Sequence, residues 1–161
     1  MYGIMNYKIG SDDMKKMTIL LLMLCLLVGC TRTIDSSELY ATWAGNTLEN
    51  VQSYNGFIIT KTDYMVALYE DDTFHEEIQV TSRNISESGS ESVVTYTLDG
   101  TLEIVPELGV NLKVTKWSSN NSEVTALPNS LASQTYYFEV NNHELNLCID
   151  ADCTNVLVKS Q

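Results

Sequence analysis

Residues 94–104, VTYTLDGTLEI, are the part of the chain that determines its fold class. Apolar residues alternate with polar ones on both sides of Asp99-Gly100. The apolar positions are Val94, Tyr96, Leu98, Leu102 and Ile104. An alternation of period two predicts a β-strand with one buried face. Asp-Gly is a favoured pair for a type I′ turn, whose central residues both have positive φ. The stretch therefore predicts two antiparallel strands joined by a hairpin turn at Asp99-Gly100.

Short runs of the same kind recur through the rest of the chain. They cover residues 39–43, 57–60, 64–69, 73–80, 110–114, 136–140, 145–149 and 156–158. We interpret residues 81–92 as a polar loop, and residues 118–133 as a polar connection with room for one helical turn. Because the connections are too short for parallel crossovers, we expect an all-β, up-and-down antiparallel meander. Closing about eight strands into a small barrel would remove the exposed edges.

Residues 15–30, KKMTILLLMLCLLVGC, have the parts of an export signal. Two lysines precede a short apolar run, and a small residue follows it. The run is too short to span a bilayer, which takes ~20 apolar residues. The last four residues, LVGC, resemble the lipobox of bacterial lipoproteins. That resemblance implies cleavage before Cys30, a diacylglycerol thioether on Cys30 and usually acylation of the new amino group.

These patterns divide the chain into three parts. Residues 1–29 are predicted to be an N-terminal extension and a helical signal peptide, residues 30–38 a lipidated tether, and residues 39–161 the barrel domain. Translation from Met1 or from Met14 stays open, because Asp12 and Asp13 are atypical before a signal. Thr31 is not the aspartate that keeps enteric lipoproteins at the inner membrane. We therefore expect a lipid-anchored protein of the cell envelope, at the outer membrane and facing the periplasm.

Charge excludes one class of partner. The chain has 9 Lys and Arg against 21 Asp and Glu, a formal net charge of −12. Such a surface repels phosphate backbones, so we expect no nucleic-acid binding.

The four cysteines have different predicted roles. Cys25 lies within the signal and Cys30 is the lipidation site. Because export leads to an oxidising compartment, Cys148 and Cys153 are predicted to form a disulfide. We expect the pair to lie opposite each other across the last hairpin, both facing outward, around a loop at residues 149–152.

The residues do not form a recognisable catalytic or metal-binding pattern. His75 and His143 are expected at exposed positions without a catalytic role. The acidic groups at residues 70–72, 76–77 and 150–152 lack the spacing of a calcium loop, so we interpret them as solvated turns. The sequence predicts no cofactor, no metal site and no enzymatic activity.

Leu39, Ala41 and Trp43 are similar to the opening of lipocalin-like bacterial lipoproteins. The later segments YEDDTF, YTLDGTLEI, YYFEVNNHELNL and the final VLVK also fit that pattern. Ala41 differs, because lipocalins usually have glycine two residues before the tryptophan. The resemblance implies a calyx-like barrel that binds a small apolar or amphipathic ligand. Trp43 would close its bottom, Tyr96, Tyr136 and Phe138 would line the space above, and residues 81–92 would border the mouth.

A second interpretation stays open at this point. A small barrel either fills with side chains or keeps room for one ligand. A filled barrel would act through its acidic outer surface on a protein partner, as a non-enzymatic envelope accessory or inhibitor. The interior volume distinguishes the two.

Overall fold

All strands pair in sequence order to form one closed, antiparallel, up-and-down barrel. The computed structural model describes residues 34–53, 56–85, 91–141 and 144–160. The strands are β1 (Thr42–Ser53), β2 (Gly56–Leu68), β3 (Thr73–Asn84), β4 (Glu91–Val105), β5 (Gly109–Ser119), β6 (Ser133–Asn141), β7 (Glu144–Cys148) and β8 (Val156–Lys159). Two one-turn helices accompany them: α1 (Ser36–Leu39) before β1, and α2 (Asn129–Ala132) before β6. The predicted all-β, eight-stranded meander is confirmed.

The barrel closes through a short seam between β1 and β8. Trp43 pairs with Lys159 and Ala44 with Val158, whereas β1 pairs with β2 along its whole length. Gly45 makes this close approach possible. A Cβ at Gly45 would lie 2.6 Å from the Val156 carbonyl oxygen and 2.8 Å from Leu157 Cδ2.

The core occupies the interior toward the α1 end of the barrel. Every strand contributes a buried side chain: Trp43, Val66, Leu68, Phe74, Ile78, Leu98, Leu102, Val110, Leu112, Tyr136, Leu145, Leu147 and Leu157, with Leu39 added from α1. Trp43 is fully buried, and its Nε1 donates a hydrogen bond to the Leu39 carbonyl oxygen at 3.0 Å. Lys159 Nζ lies 5.9 Å from the centre of the Trp43 ring. This end of the barrel is therefore filled with side chains.

The predicted hairpin at Asp99-Gly100 is wrong. β4 continues through this pair to Val105, because β3 pairs with β4 on both sides of it, from Thr73↔Thr101 to Arg83↔Glu91. Asp99-Gly100 instead marks a β-bulge, where the register with β5 shifts. The turn falls at residues 106–108, with Glu107 at φ 63°. Gly100 is needed for packing, since a Cβ there would collide with the Lys113 carbonyl oxygen and lie 2.7 Å from Phe74 Cε1.

Several other strands are also longer than the alternating runs in the sequence predicted. Residues 57–60 and 64–69 lie mainly on one continuous strand, β2, and residues 36–39 form α1 before a longer β1. Of the predicted loop 81–92, residues 81–84 and 91–92 belong to strands, and residues 86–90 lie outside the described residues. Long-range pairing therefore extends the strands beyond the alternating runs. The helical turn expected between residues 118 and 133 is present as α2.

From Ile34 onward the chain forms one compact unit. The predicted signal peptide and residues 30–33, which include Cys30, lie outside the described residues, whereas residues 34–38 of the predicted tether are described. Among the residues that are described, no helix is long and apolar enough to cross a membrane.

Candidate functional site

A carboxylic acid lies inside the barrel. On β3, buried and half-buried residues alternate, and Glu76 falls between the buried Phe74 and Ile78 on the inward-facing side. Its side chain has no exposed surface. The interpretation of residues 76–77 as a solvated turn is therefore wrong for Glu76. A polar residue at this parity is uncommon, because burying a charged group is costly unless it is hydrogen-bonded or paired.

Two neutral side chains from β6 hold the Glu76 carboxylate. The Tyr136 hydroxyl donates a hydrogen bond to Oε1, and Gln134 Nε2 donates one to Oε2 at 2.7 Å. Within the described part of the chain, Lys61 forms an ion pair with Asp63 at 2.6 Å, and His75 Nδ1 lies 2.7 Å from Asp99 Oδ1. Glu76 is thus satisfied by hydrogen bonds without a cationic partner.

This environment shifts three pKa values in the same direction. Burial raises the pKa of Glu76, and the hydrogen bonds from Tyr136 and Gln134 oppose that effect. Burial, followed by the negative charge of Glu76, raises the pKa of Tyr136 well above its usual value. Burial also raises the pKa of Tyr64, with a hydrogen bond to Thr47 acting against it. Both tyrosines therefore remain protonated at neutral pH and serve as hydrogen-bond donors.

A cleft of about 500 Å³ opens beside this network. It lies where the β5–β6 connection meets the β7–β8 loop, away from α1. Its lining residues are Tyr64, Ser130, Leu131, Ser133, Gln134, Thr135, Tyr136, Tyr137, Ile149, Asp150 and Ala151. The two side chains that hold Glu76 thus also form part of the cleft wall.

Asp150 organises the loop on one side of the cleft. Its carboxylate accepts hydrogen bonds from the backbone N–H and hydroxyl of Thr154, both at 2.9 Å, and from the backbone N–H and Nδ2 of Asn155 at 3.0 and 2.9 Å. These bonds, led by the one from the Thr154 backbone, lower the pKa of Asp150 to about 2. The loop is therefore tied together around an ionised carboxylate.

The same loop contains the disulfide Cys148–Cys153, with a Cα–Cα distance of 4.9 Å, as predicted. Its expected placement across two strands is wrong. Cys148 pairs with Val156 in the sheet, and Cys153 lies in the loop at φ 51°. In β8, Leu157 is fully buried and Val158 is 57% exposed, so Leu157 is the residue that faces the interior. The disulfide covalently links the loop beside the cleft to the end of β7.

The structure separates the four predicted ligand-binding residues. Tyr136 lines the cleft, whereas Trp43 is buried in the filled end of the barrel. Tyr96 and Phe138 are half-buried and pack against the core. Ligand contact by these four residues stays a prediction, and the structure brings Tyr136 together with residues that the sequence analysis did not single out.

Glu76, Gln134 and Tyr64 were missed as site residues. A signal for Glu76 was present, because it shares the parity of Phe74 and Ile78 in an otherwise apolar row. Gln134 has the parity of Tyr136 and lies near the start of β6, between the predicted connection at residues 118–133 and the predicted strand at residues 136–140.

His75 does not form a second site with other polar side chains that the structure describes. His75 is 40% exposed and bonded to Asp99, and His143 lies outside the described residues. Among the residues that the structure describes, no group of three or more His, Cys, Asp or Glu side chains could hold a metal ion.

Comparison of the chain with protein-family models and with curated proteins finds no match.

Proposed function

We propose that the domain is a lipocalin-like binding module that takes a small amphipathic ligand in the cleft of Tyr64, Gln134 and Tyr136. In the same proposal, acyl chains on Cys30 hold the chain at the outer membrane, facing the periplasm. The observation that carries the binding function is a cleft of about 500 Å³ on a closed eight-stranded barrel. Ligand sites occur preferentially at the mouths of such barrels.

The lining favours an amphipathic ligand over a purely apolar one. Leu131 and Ile149 offer apolar surface, whereas Ser130 and Gln134 offer hydrogen-bonding groups. The interior toward α1 is occupied by core side chains such as Trp43 and Phe74. An apolar chain therefore has no room to descend to that end, and we expect the ligand to stay at the cleft.

The test is a panel of small amphipathic compounds, with the melting temperature and native mass spectrometry as readouts. A ligand that binds the folded state alone stabilises it by about 2.7 kcal/mol at 100-fold over its Kd. Leu131→Trp should fill the cleft and weaken binding. Leu108→Trp is the matched control, because Leu108 is 48% exposed on the β4–β5 turn at the opposite end. A panel that leaves the melting temperature unchanged, or equal binding by both variants, would overturn the proposal.

The filled end of the barrel favours a second candidate, an accessory or inhibitor that acts through its acidic outer surface. Attraction between oppositely charged proteins is screened by salt, with a Debye length of about 10 Å at 0.1 M. This candidate therefore requires an association with a purified basic envelope protein that weakens as salt is added. Association that is independent of salt would exclude it.

A further inference from the structure

We propose that the ligand carries a positive charge and that the carboxylate of Glu76 is its counter-charge. The cleft would then select a small organic cation, such as a protonated primary amine with a short apolar tail. This inference rests on the proposed function, because it assumes that a ligand occupies the cleft.

The first argument is the unbalanced charge of the interior. Glu76 has no exposed surface and is held by two neutral donors. An ionised carboxylate buried in this way pays a desolvation cost that neutral hydrogen bonds only partly offset. A cation in the cleft would therefore offset this cost through its charge, without contacting the carboxylate directly.

The second argument is the position of the two donors. Gln134 and Tyr136 contact Glu76 and also line the cleft. A cation in the cleft is thus separated from the Glu76 carboxylate by Gln134 and Tyr136, the two side chains that donate hydrogen bonds to that carboxylate. Coulomb attraction between charges near a protein surface is stronger than between the same charges in bulk water. Tyr64, Tyr136 and Tyr137 also belong to the lining, and aromatic side chains attract cations.

The third argument is the sign of the surrounding charges. Asp150 is the charged residue in the cleft lining, and none of the lining residues that the structure describes is a lysine, arginine or histidine. The negative charge of Glu49 also acts on the phenol of Tyr64 and raises its pKa. A cleft with one sign of charge concentrates ligands of the opposite sign. A fatty acid or another carboxylate is therefore disfavoured.

The experiment compares three ligands with the same tail and different heads: hexylamine, hexanol and hexanoate. Binding is measured by calorimetry at neutral pH with the folded domain. We expect hexylamine to bind about tenfold more tightly than hexanol, a preference within the range of Coulomb attraction between unit charges near a protein surface. Hexanoate should bind more weakly than either.

Variants then identify the counter-charge. Glu76→Gln should reduce the ratio of the hexylamine affinity to the hexanol affinity to near unity. Glu77→Gln is the matched control, because it removes the same charge from the adjacent, partly exposed position on the other face of β3. The control should keep the full preference.

The possible outcomes separately test the charge of the ligand, the identity of its counter-charge and the binding function. Equal binding of hexylamine and hexanol by the unmodified protein would overturn the charge inference and leave the binding function standing. A preference that survives Glu76→Gln would show that another group provides the counter-charge. Failure of the whole amphipathic panel would overturn the proposed function itself. Because the comparison of the three ligands uses the unmodified protein, the sign of the charge is tested even if Glu76→Gln fails to fold.

Discussion

The hydroxyl of Tyr136 on β6 donates a hydrogen bond to the carboxylate of Glu76 on β3, across the interior of the barrel. The two residues are 60 positions apart, and their strands are not neighbours in the sheet. The contact therefore links opposite walls of the barrel, next to the cleft that we propose as the ligand site. Satisfied polar networks of this kind help to specify a unique packing, because an unsatisfied buried group is costly.

Glu76→Gln should remove a component of the pH dependence of stability. Because burial raises the pKa of Glu76, the folded state keeps this proton at pH values where the unfolded chain has lost it. The free energy of unfolding should therefore fall as pH rises from about 4.5, the ordinary value, to the raised pKa, and stay lower above it.

Urea unfolding between pH 4 and 8 measures this component. Tyr64 and Tyr136 face Glu76, but their own raised pKa values keep them protonated over this range. Glu77→Gln serves as the control and should retain the drop. A drop of unchanged size in Glu76→Gln would contradict the assignment.

Tyr136→Phe should destabilise the domain by about 1.5–3 kcal/mol, the value typical of a hydrogen bond to a charged group. The pKa of Glu76 should rise further, since the Tyr136 hydroxyl lowers it. Chemical denaturation gives the first quantity, and NMR titration of the glutamate carboxyl gives the second. Tyr137→Phe alters the adjacent, partly exposed tyrosine and should change neither. Similar losses in both variants would argue against a specific role of the Tyr136 hydroxyl.

Gly100→Ala should destabilise the barrel by about 1–3 kcal/mol, the usual cost of overpacking a well-packed site. The new methyl group would collide with the Lys113 carbonyl and crowd the Phe74 ring. Thr101→Ala changes an exposed neighbour on the same strand and provides the control. Equal stability of the two variants would contradict the close approach of Gly100 to Lys113 and Phe74.

Reduction of the Cys148–Cys153 bond should lower the free energy of unfolding by about 2 kcal/mol, as expected for a short closed loop. Without reductant, alkylation should modify neither cysteine in the barrel domain. Cys153→Ala lacks the bond, so its stability should not respond to reductant. Free labelling of both thiols in protein from an oxidising compartment would contradict the disulfide.

Cys30→Ala should release the protein from the membrane fraction or leave it uncleaved. Two or more acyl chains hold a protein stably at a bilayer, and loss of the modified cysteine removes them. Mass spectrometry of the protein without substitutions should find Cys30 at its N-terminus with attached acyl groups. Cys25→Ala changes the other cysteine of the predicted signal and should leave anchoring intact. Unchanged fractionation of Cys30→Ala would disprove the anchor.

The alternation of apolar and polar residues predicted the strands of the barrel, because it depends only on residues that are close in sequence. Alternation of apolar and polar residues assigned one face of β4, and the cysteine spacing together with export pointed to the disulfide. The Asp99-Gly100 hairpin failed for the opposite reason. Its local preference was outweighed by pairing with β3 along residues before and after the pair.

The candidate site was less predictable than the fold. Glu76 has the same local pattern as a solvent-facing glutamate, and its burial depends on closure of the barrel around it. Its two donors come from β6, which no short-range rule connects to β3. The alternation of inward-facing and outward-facing residues along β3 could place Glu76 on the inward face. It could not identify the residues that surround Glu76 there.

The sequence by itself determined the all-β class and the antiparallel meander of about eight strands, because period two is a local property of the chain. It also determined the acidic charge and the motif ending at Cys30. The tertiary structure decided that Gly100 packs against β5 instead of turning the chain, and that Cys153 lies in a loop beside a cleft. It also brought Glu76, Gln134 and Tyr136 together, because contacts across the interior arise when distant strands close into one barrel.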